Sequence, residues 1–242
     1  MQQCGSGGIS GQCYPSGKPG QSRGIFYRTG NAKGLVVKPR VPAAPSVRRL
    51  PSYLHVINNL PVEGEYISGT FIAEELNLDS IQVRKDLAIT GVTGKPKKGY
   101  RIEALRDAIE NFLGWDKGFD AVLVGVGNLG SALMGYSELV RHGLHIIAAF
   151  DNNPRMVGKR VHGIPILNTK TMDIQLRTLG AKIAILSVPA EAAQETADVL
   201  IRAGITGLWN FTNVKLKTPE GIIVQKEDIS SGYAMLCVRM KE

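Results

Sequence analysis

Between residues 46 and 59, apolar side chains recur at helical spacing. Val47, Leu50, Leu54, Val56 and Ile57 form the buried side, and Ser46 is placed to cap the start. Pro51 falls inside this stretch and is expected to kink the helix or reset its start, because it lacks an N–H and its ring crowds the preceding turn. A turn is expected at Val62-Glu63-Gly64. Two short helical patterns follow, separated by Asn77-Leu78. Ser68 or Thr70 caps the first, which carries Ile72, Ala73 and Leu76; Asp79 or Ser80 caps the second, with Ile81, Val83, Leu87 and Ile89 turned largely inward. A longer helix spans Ile102 to Leu113 on a stripe of Ile102, Leu105, Ala108, Ile109 and Leu113, and Gly114 ends it.

The pattern then changes to short apolar runs alternating with helical segments. Val122-Leu123-Val124 leads into Gly125-Val126-Gly127-Asn128-Leu129-Gly130, an amphipathic stretch follows, and His145 to Phe150 runs into Asp151. Lys159 to Ile166 is a short strand region. Lys182 to Val188 is almost continuously apolar, as a strand buried on both faces should be. Pro189 opens a helix at its first position, with Glu191 in the first turn, and the helix continues through Ala193, Ala197 and Leu200 to Gly204. Ile205 to Phe211 and Gly221 to Val224 read as further strands. This alternation implies a parallel sheet with right-handed crossovers. Asp228 to Val238, with Ile229, Tyr233, Leu236 and Val238, is long enough for a helix whose apolar side needs a cover; a partner subunit is one candidate.

The glycine turn is where this pattern acquires chemistry. Gly125 permits the tight turn, Gly127 offers no side chain to hold a pyrophosphate off the backbone, and Gly130 lets helix and strand approach. The helix start then turns free N–H groups toward the phosphates. Asp151 lies about twenty residues on, where a carboxylate accepts from ribose hydroxyls and repels a 2′-phosphate, which favours NAD(H) over NADP(H). A glycine turn in an α/β domain that binds nothing is the plain alternative.

Charge adds a second theme. The chain of 242 residues carries a net charge of +8, and its first forty residues hold Lys18, Arg23, Arg28, Lys33, Lys38 and Arg40 with no Asp or Glu. Residues 1–41 therefore read as a disordered basic tail that can add non-specific attraction to nucleic acid. A dispensable extension fits equally, and the acid-poor make-up loosely resembles a transit peptide. Ser80, Gln82, Arg84 and Lys85 lie along the second short helix, an inventory suited to base edges and phosphates. An ordinary charged surface helix fits that segment equally. The Gly91–Tyr100 stretch that follows reads as a hairpin with Lys95, Lys97 and Lys98 at its tip, and a basic hairpin after a helix-turn-helix reads as a wing. Together the two features favour DNA binding over a solvated lysine loop. Cys4, Cys13 and Cys237 form no disulfide framework or metal motif, which fits a reduced cytoplasmic setting and no metal. No apolar run has the length of a membrane span, so no membrane partner is expected.

At this point the sequence resembles the Rex redox-sensing transcriptional repressors over about residues 42–240. The matching pieces are Val47-Arg48-Arg49-Leu50-Pro51, Gln82 to Leu87, Val124 to Gly130, Ala149-Phe150-Asp151 and Val188 to Gln194. The resemblance implies a winged-helix DNA-binding domain (42–101), an α/β Rossmann domain for NAD(H) (102–226) and a C-terminal helix exchanged between two subunits (227–242). It implies a homodimer that binds a palindromic double-stranded DNA operator and is released by NADH. It places Arg84 and Lys85 on the recognition helix, Gly125, Gly127 and Gly130 at the pyrophosphate and Asp151 at the adenosine ribose. Val188 and Pro189 would border the cofactor, and Ile229 would lie near the nicotinamide. Tyr136 would bond Asp228 at the start of the exchanged helix. The sequence departs from the family twice. His55 stands where an arginine usually pairs with that acid, so any such pairing requires a protonated histidine. Ala88-Ile89-Thr90-Gly91 and Lys95-Pro96-Lys97-Lys98-Gly99-Tyr100 replace the usual wing pattern, exchanging arginine's planar fork for lysine.

The expected function is a non-enzymatic NADH/NAD+-sensing repressor, with His55, Tyr136 and Asp228 as its relay. One alternative is an NAD-dependent oxidoreductase, but none of His55, His142, His145 and His162 sits beside an obvious acid and arginine in a substrate domain. The other is a dinucleotide- or CoA-binding module without redox-controlled DNA binding.

Overall fold

Helix α1 spans Ala44–Asn58 without interruption at Pro51. Ser46 lies inside it, so the helix starts ahead of the expected cap and proline neither ends nor restarts it. Burial explains this: Leu50, Tyr53, Leu54 and Ile57 are almost wholly enclosed, and packing outweighs one missing hydrogen bond. The structure, a computed structural model, describes residues 44–60 and 64–241. The expected basic tail, and Val62 and Glu63 of the expected turn, lie outside the described residues.

Next come β1 (Tyr66–Ile67), α2 (Gly69–Glu75), α3 (Ser80–Ala88), β2 (Tyr100–Arg101) and α4 (Ile102–Leu113). Ser68 caps α2 by accepting from the Phe71 N–H at 3.0 Å, and Asp79 caps α3 by accepting from the N–H groups of Ile81 and Gln82. β1 pairs antiparallel with β2, and the hairpin that carries the lysines, just before β2, is closed by a single antiparallel bridge between Lys95 and Gly99. The apolar stripes of α1 to α4 meet in one core around Leu50, Ile72, Val83, Leu87, Leu105 and Ile109. Helix α4, expected with the second domain, thus joins this first core, because Leu105 and Ile109 find their apolar partners there. Ile81 corrects the sequence reading: it is 57% exposed and stands on the outer face of α3, since Val83 and Leu87 already fill the inner one.

One charged group is buried in this core. Asp86 of α3 is fully enclosed and accepts from Arg49 Nε at 2.6 Å, Arg49 Nη2 at 3.0 Å, the Tyr53 hydroxyl at 2.5 Å and Gln82 Nε2 at 2.7 Å. Burial pushes its carboxyl up, but these hydrogen bonds, Arg49 foremost, outweigh that effect and hold it well below the usual carboxylate range. The same cluster raises the Arg49 guanidinium through its bond to Asp86, and raises the Tyr53 hydroxyl through burial and then its bond to Asp86.

The second half contains β3 (Phe119–Val124), α5 (Asn128–Met134), α6 (Ser137–Arg141), β4 (Leu144–Asp151), β5 (Arg160–Val161), β6 (Ile164–Asn168), α7 (Met172–Leu179), β7 (Ile183–Leu186), α8 (Ala190–Arg202), β8 (Gly207–Asn210), β9 (Ile223–Lys226) and α9 (Ser230–Arg239). The sheet order is β5-β6-β4-β3-β7-β8-β9. All pairings are parallel except β5 with β6, an antiparallel edge hairpin. Setting β5 aside, the order is the doubly wound Rossmann arrangement, with its switch point between β3 and β7.

The structure revises several sequence boundaries. The amphipathic stretch after the glycine turn is two helices, broken at Gly135, where a Cβ would press on the His162 ring. Helix α7 has only Met172 and Leu176 buried, too weak a stripe to stand out in the sequence. Pro189 is the cap of α8 and sits extended at ψ 153°, one residue ahead of its expected place. No residue of α9 is buried, and Tyr233, Met235, Leu236 and Val238 are all more than half exposed.

Asp86→Ala is expected to lower the unfolding free energy by about 3 kcal/mol, the low end for breaking a buried ion pair, because Arg49 keeps part of its surface in water. Urea denaturation checks this. The depressed carboxyl contributes stability above its unfolded value of about 3.9, and that contribution is lost progressively as pH falls toward the lower folded value. The gap between wild type and variant should therefore shrink below about pH 4.

Candidate functional site

A cleft of about 700 Å³ opens at the carboxyl ends of β3, β4 and β7. Gly125, Val126 and Gly127 form one wall, Asp151, Asn152 and Asn153 another, and Ser187, Val188 and Pro189 a third. The three glycines divide the work. Gly125 has φ +96° and a Cβ there would stand 2.6 Å from the Ser187 carbonyl oxygen, so the turn requires glycine. A Cβ on buried Gly130 would overlap the Gly125 carbonyl oxygen, so its absence lets α5 close onto the turn. Gly127 meets nothing within 4 Å, so no protein atom demands glycine there and the space above it is open. Asn128 and Leu129 lie in the first turn of α5 beyond the cleft wall, and Gly130 serves packing.

Two further groups hold the turn in place. The Val126 N–H donates to Asp151 Oδ2 at 2.6 Å, while Asp151 Oδ1 accepts from the Asn153 N–H at 2.7 Å. The Ser187 hydroxyl donates to the Gly125 carbonyl at 2.8 Å. Sequence reasoning placed Asp151 but missed Ser187, whose only signal is a polar residue at the mouth of a buried strand. It also missed Lys170, which lines the cleft from the turn after β6.

A second, apolar pocket of about 300 Å³ is lined by Leu133, Tyr136, Leu139, Trp209, Phe211, Glu227, Asp228 and Ile229. Tyr136 and the adjacent pair Asp228 and Ile229, far from it in sequence, line the same pocket here. Ile229 therefore belongs to this pocket and not to the cleft that holds Asp151. The Asp228 carboxyl accepts from the hydroxyl and N–H of Ser230, and these bonds lower it from its ordinary value.

In the N-terminal half, Arg84 and Lys85 are exposed on α3 beside Ile81, while Ser80 and Gln82 are half-buried. Lys95, Lys97 and Lys98 are exposed at the hairpin, where Lys97 takes φ +62° at the tip. Lys95 Nζ donates to the Tyr66 hydroxyl at 2.8 Å, which raises the lysine. The amines of Lys95 and Lys98 also sit 5.3 and 5.5 Å from the Tyr66 ring centre. Tyr66 is a further residue that the sequence reading missed; it gathers two of the three lysines on one ring.

The chain's relatives share both halves. A family model described as a putative DNA-binding protein N-terminus matches residues 40–88, and one described as a CoA-binding domain matches residues 116–214. A Treponema denticola protein named redox-sensing transcriptional repressor Rex is 54% identical over 206 residues, covering 85% of this chain and 98% of its own. The chain belongs to the Rex family of redox-sensing transcriptional repressors. Among solved structures, RSP in complex with beta-NAD+ and operator DNA superposes with a TM-score of 0.74 at 31% identity, covering 81% of this chain and 91% of that one. RSP in complex with beta-NADH gives a TM-score of 0.73 at 29% identity, covering 83% and 94%.

Against this Rex framework, His55 stands apart. It is exposed near the end of α1, with Asn59 as its hydrogen-bonding neighbour, and among the described residues it is paired with no acid.

Gly130→Ala is expected to cost at least about 1–3 kcal/mol of stability through overpacking. Gly127→Ala, at φ −77° in open space, should stay within about 0.5 kcal/mol of wild type. Urea titrations of the two variants check the contrast.

Proposed function

We propose that this chain is a DNA-binding transcriptional repressor that senses the NADH/NAD+ ratio and is released from a palindromic operator by NADH. The observation that carries the reading is the open space over Gly127 in a cleft that also holds Asp151, on the same chain as the exposed Arg84 and Lys85 of α3. In this reading the pyrophosphate lies over the open Gly127 and meets the N–H groups at the start of α5, since those of Gly125 and Val126 are given to the Phe150 carbonyl and to Asp151; Asp151 faces the adenosine ribose, and Val188 and Pro189 border the ligand. A carboxylate beside the ribose repels a phosphorylated ribose, which argues against NADP(H) and against CoA.

The DNA-binding unit is the core of α1 to α3 with the hairpin; Ser80, Gln82, Arg84 and Lys85 face the major groove, and Lys95, Lys97 and Lys98 the backbone or minor groove. The uncovered apolar surface of α9 is the surface a second copy covers, giving a homodimer whose two α3 helices must match two half-sites. NADH releases DNA only if it binds the DNA-incompatible state better than NAD+ does. The pocket around Leu133, Trp209, Phe211 and Ile229 supplies the difference: its apolar walls penalise the charged oxidised ring by desolvation, a penalty that must exceed the attraction of Glu227 and Asp228, whose carboxylates already accept from Trp209 and Ser230. Tyr136 and Asp228, in its wall, report the occupant toward α1 and His55 of the dimer. In this reading the chain is a non-enzymatic regulator of the cytoplasm; none of its four histidines lines either of these two cavities.

The test is duplex binding at one fixed salt concentration with NAD+ or NADH present. Specific binding to a palindrome that survives NAD+ and is lost with NADH is the expected result; binding indifferent to both overturns the sensor half of the reading. Gly127→Ala, folded as wild type, should weaken NADH at least about tenfold in a fluorescence titration and keep its hold on DNA when NADH is added.

A further inference from the structure

The buried Asp86 does more than close the small core, because one of its three hydrogen-bonding partners faces the other way. Arg49 and Tyr53 come from α1, behind α3. Gln82 is on α3 itself, one turn before Asp86, and reaches it at 2.7 Å from the flank of the exposed face that carries Ile81, Arg84 and Lys85. An ionised carboxylate only accepts, so it settles which end of the Gln82 amide points inward: Nε2 donates to Asp86 Oδ1. The carboxylate cannot turn to release it, since Arg49 grips both oxygens and Tyr53 bonds Oδ2. Among the described residues Gln82 Oε1 makes no hydrogen bond, and it is not among the buried polar atoms without a partner, so it is open to solvent.

We infer that Asp86 is a positioning residue that locks Gln82 as the reader of an adenine in each half-site. The inference rests on the DNA-binding reading above. With one Nε2 hydrogen spent on Asp86, Gln82 retains one donor and one acceptor side by side. Adenine is the base whose major-groove edge offers the complement, the N7 acceptor beside the N6 donor. Guanine presents two acceptors there, thymine an acceptor and a methyl group, and cytosine a single donor. The lock also removes the rotamer freedom that glutamine would otherwise lose on binding. Arg84 and Lys85 have no such brace among the described residues and suit phosphates or guanine.

The experiment is selection of palindromic duplexes with randomised half-sites, followed by binding of each single-base variant. Wild type is expected to select adenine at one half-site position with about tenfold or greater discrimination. Gln82→Ala should abolish that preference alone. Asp86→Asn, assayed well below its unfolding midpoint, should lower the same ratio at least about threefold and leave affinity for random DNA unchanged. Leu105→Ala, which weakens the same core through α4, should leave the ratio intact. A separate readout needs no Asp86 variant: in wild type, NMR should show one Gln82 side-chain amide proton hydrogen-bonded and slow to exchange. Full adenine preference in folded Asp86→Asn, a Gln82-dependent position that is not adenine, or freely exchanging Gln82 amide protons each overturn the inference. A wild-type chain that selects no sequence overturns the DNA-binding reading and the inference with it.

Discussion

The architecture of the larger half depends on how closely two strand ends approach at the sheet's switch point. β3 and β7 lie side by side, and their chains leave in opposite directions to opposite faces of the sheet. The crevice this creates is kept narrow by backbone contact. Gly125 turns against the Ser187 carbonyl, Gly130 lies against the Gly125 carbonyl, and the Ser187 hydroxyl bonds the same oxygen. No side chain larger than hydrogen fits at Gly125 or Gly130, so the cleft's geometry is set by what is absent. Asp151 then secures the far wall through the Val126 N–H, which links the ends of β3 and β4. The turn is thus fixed before anything enters the cleft: the Gly125 and Val126 N–H groups are already bonded, to the Phe150 carbonyl and to Asp151.

The smaller half is organised around a charge. Enclosing Asp86 would be costly without partners, and its partners come from two helices, so satisfying the carboxylate also fixes α3 against α1. The apolar core around it would tolerate sliding; hydrogen bonds at 2.5–3.0 Å would not. Exposed residues of α3 thereby take defined positions. The two halves touch where Trp115, at the edge of the first core, stacks on His142 beyond α6, with ring centres 3.9 Å apart and planes inclined by 17°. Helix α6 follows Tyr136 directly, so the wall of the apolar pocket and the root of the small domain are separated by one short helix.

Much of this was legible along the chain. The α4 boundaries, the glycine turn and Asp151 stood in the sequence because each is a local requirement, and each helix cap was narrowed to two residues, of which the fold uses Ser68 and Asp79. A cap needs a short side chain with an oxygen, a positive φ needs glycine, and a stripe needs a period. The failures share a cause as well. Ile81 occupies an inward position by period, yet it faces solvent because two neighbours already fill the core. Pro51 reads as a break, yet the helix is held by residues that only the fold buries. Helix α7 has two buried side chains, too few to show a period.

The sequence by itself determined most of the elements, the parallel α/β alternation and the glycine turn, because these follow from contacts between residues near in the chain or from rules that hold for any α/β sheet. Only the tertiary structure decided which groups meet. It placed Asp86 within reach of Arg49, Tyr53 and Gln82, brought Lys95 and Lys98 to Tyr66, set Tyr136 in one pocket with Asp228 and Ile229, and left His55 paired with no acid among the described residues. These are long-range pairings, and no local period or propensity encodes the distance between two side chains on different elements. That distance is fixed when the cores close.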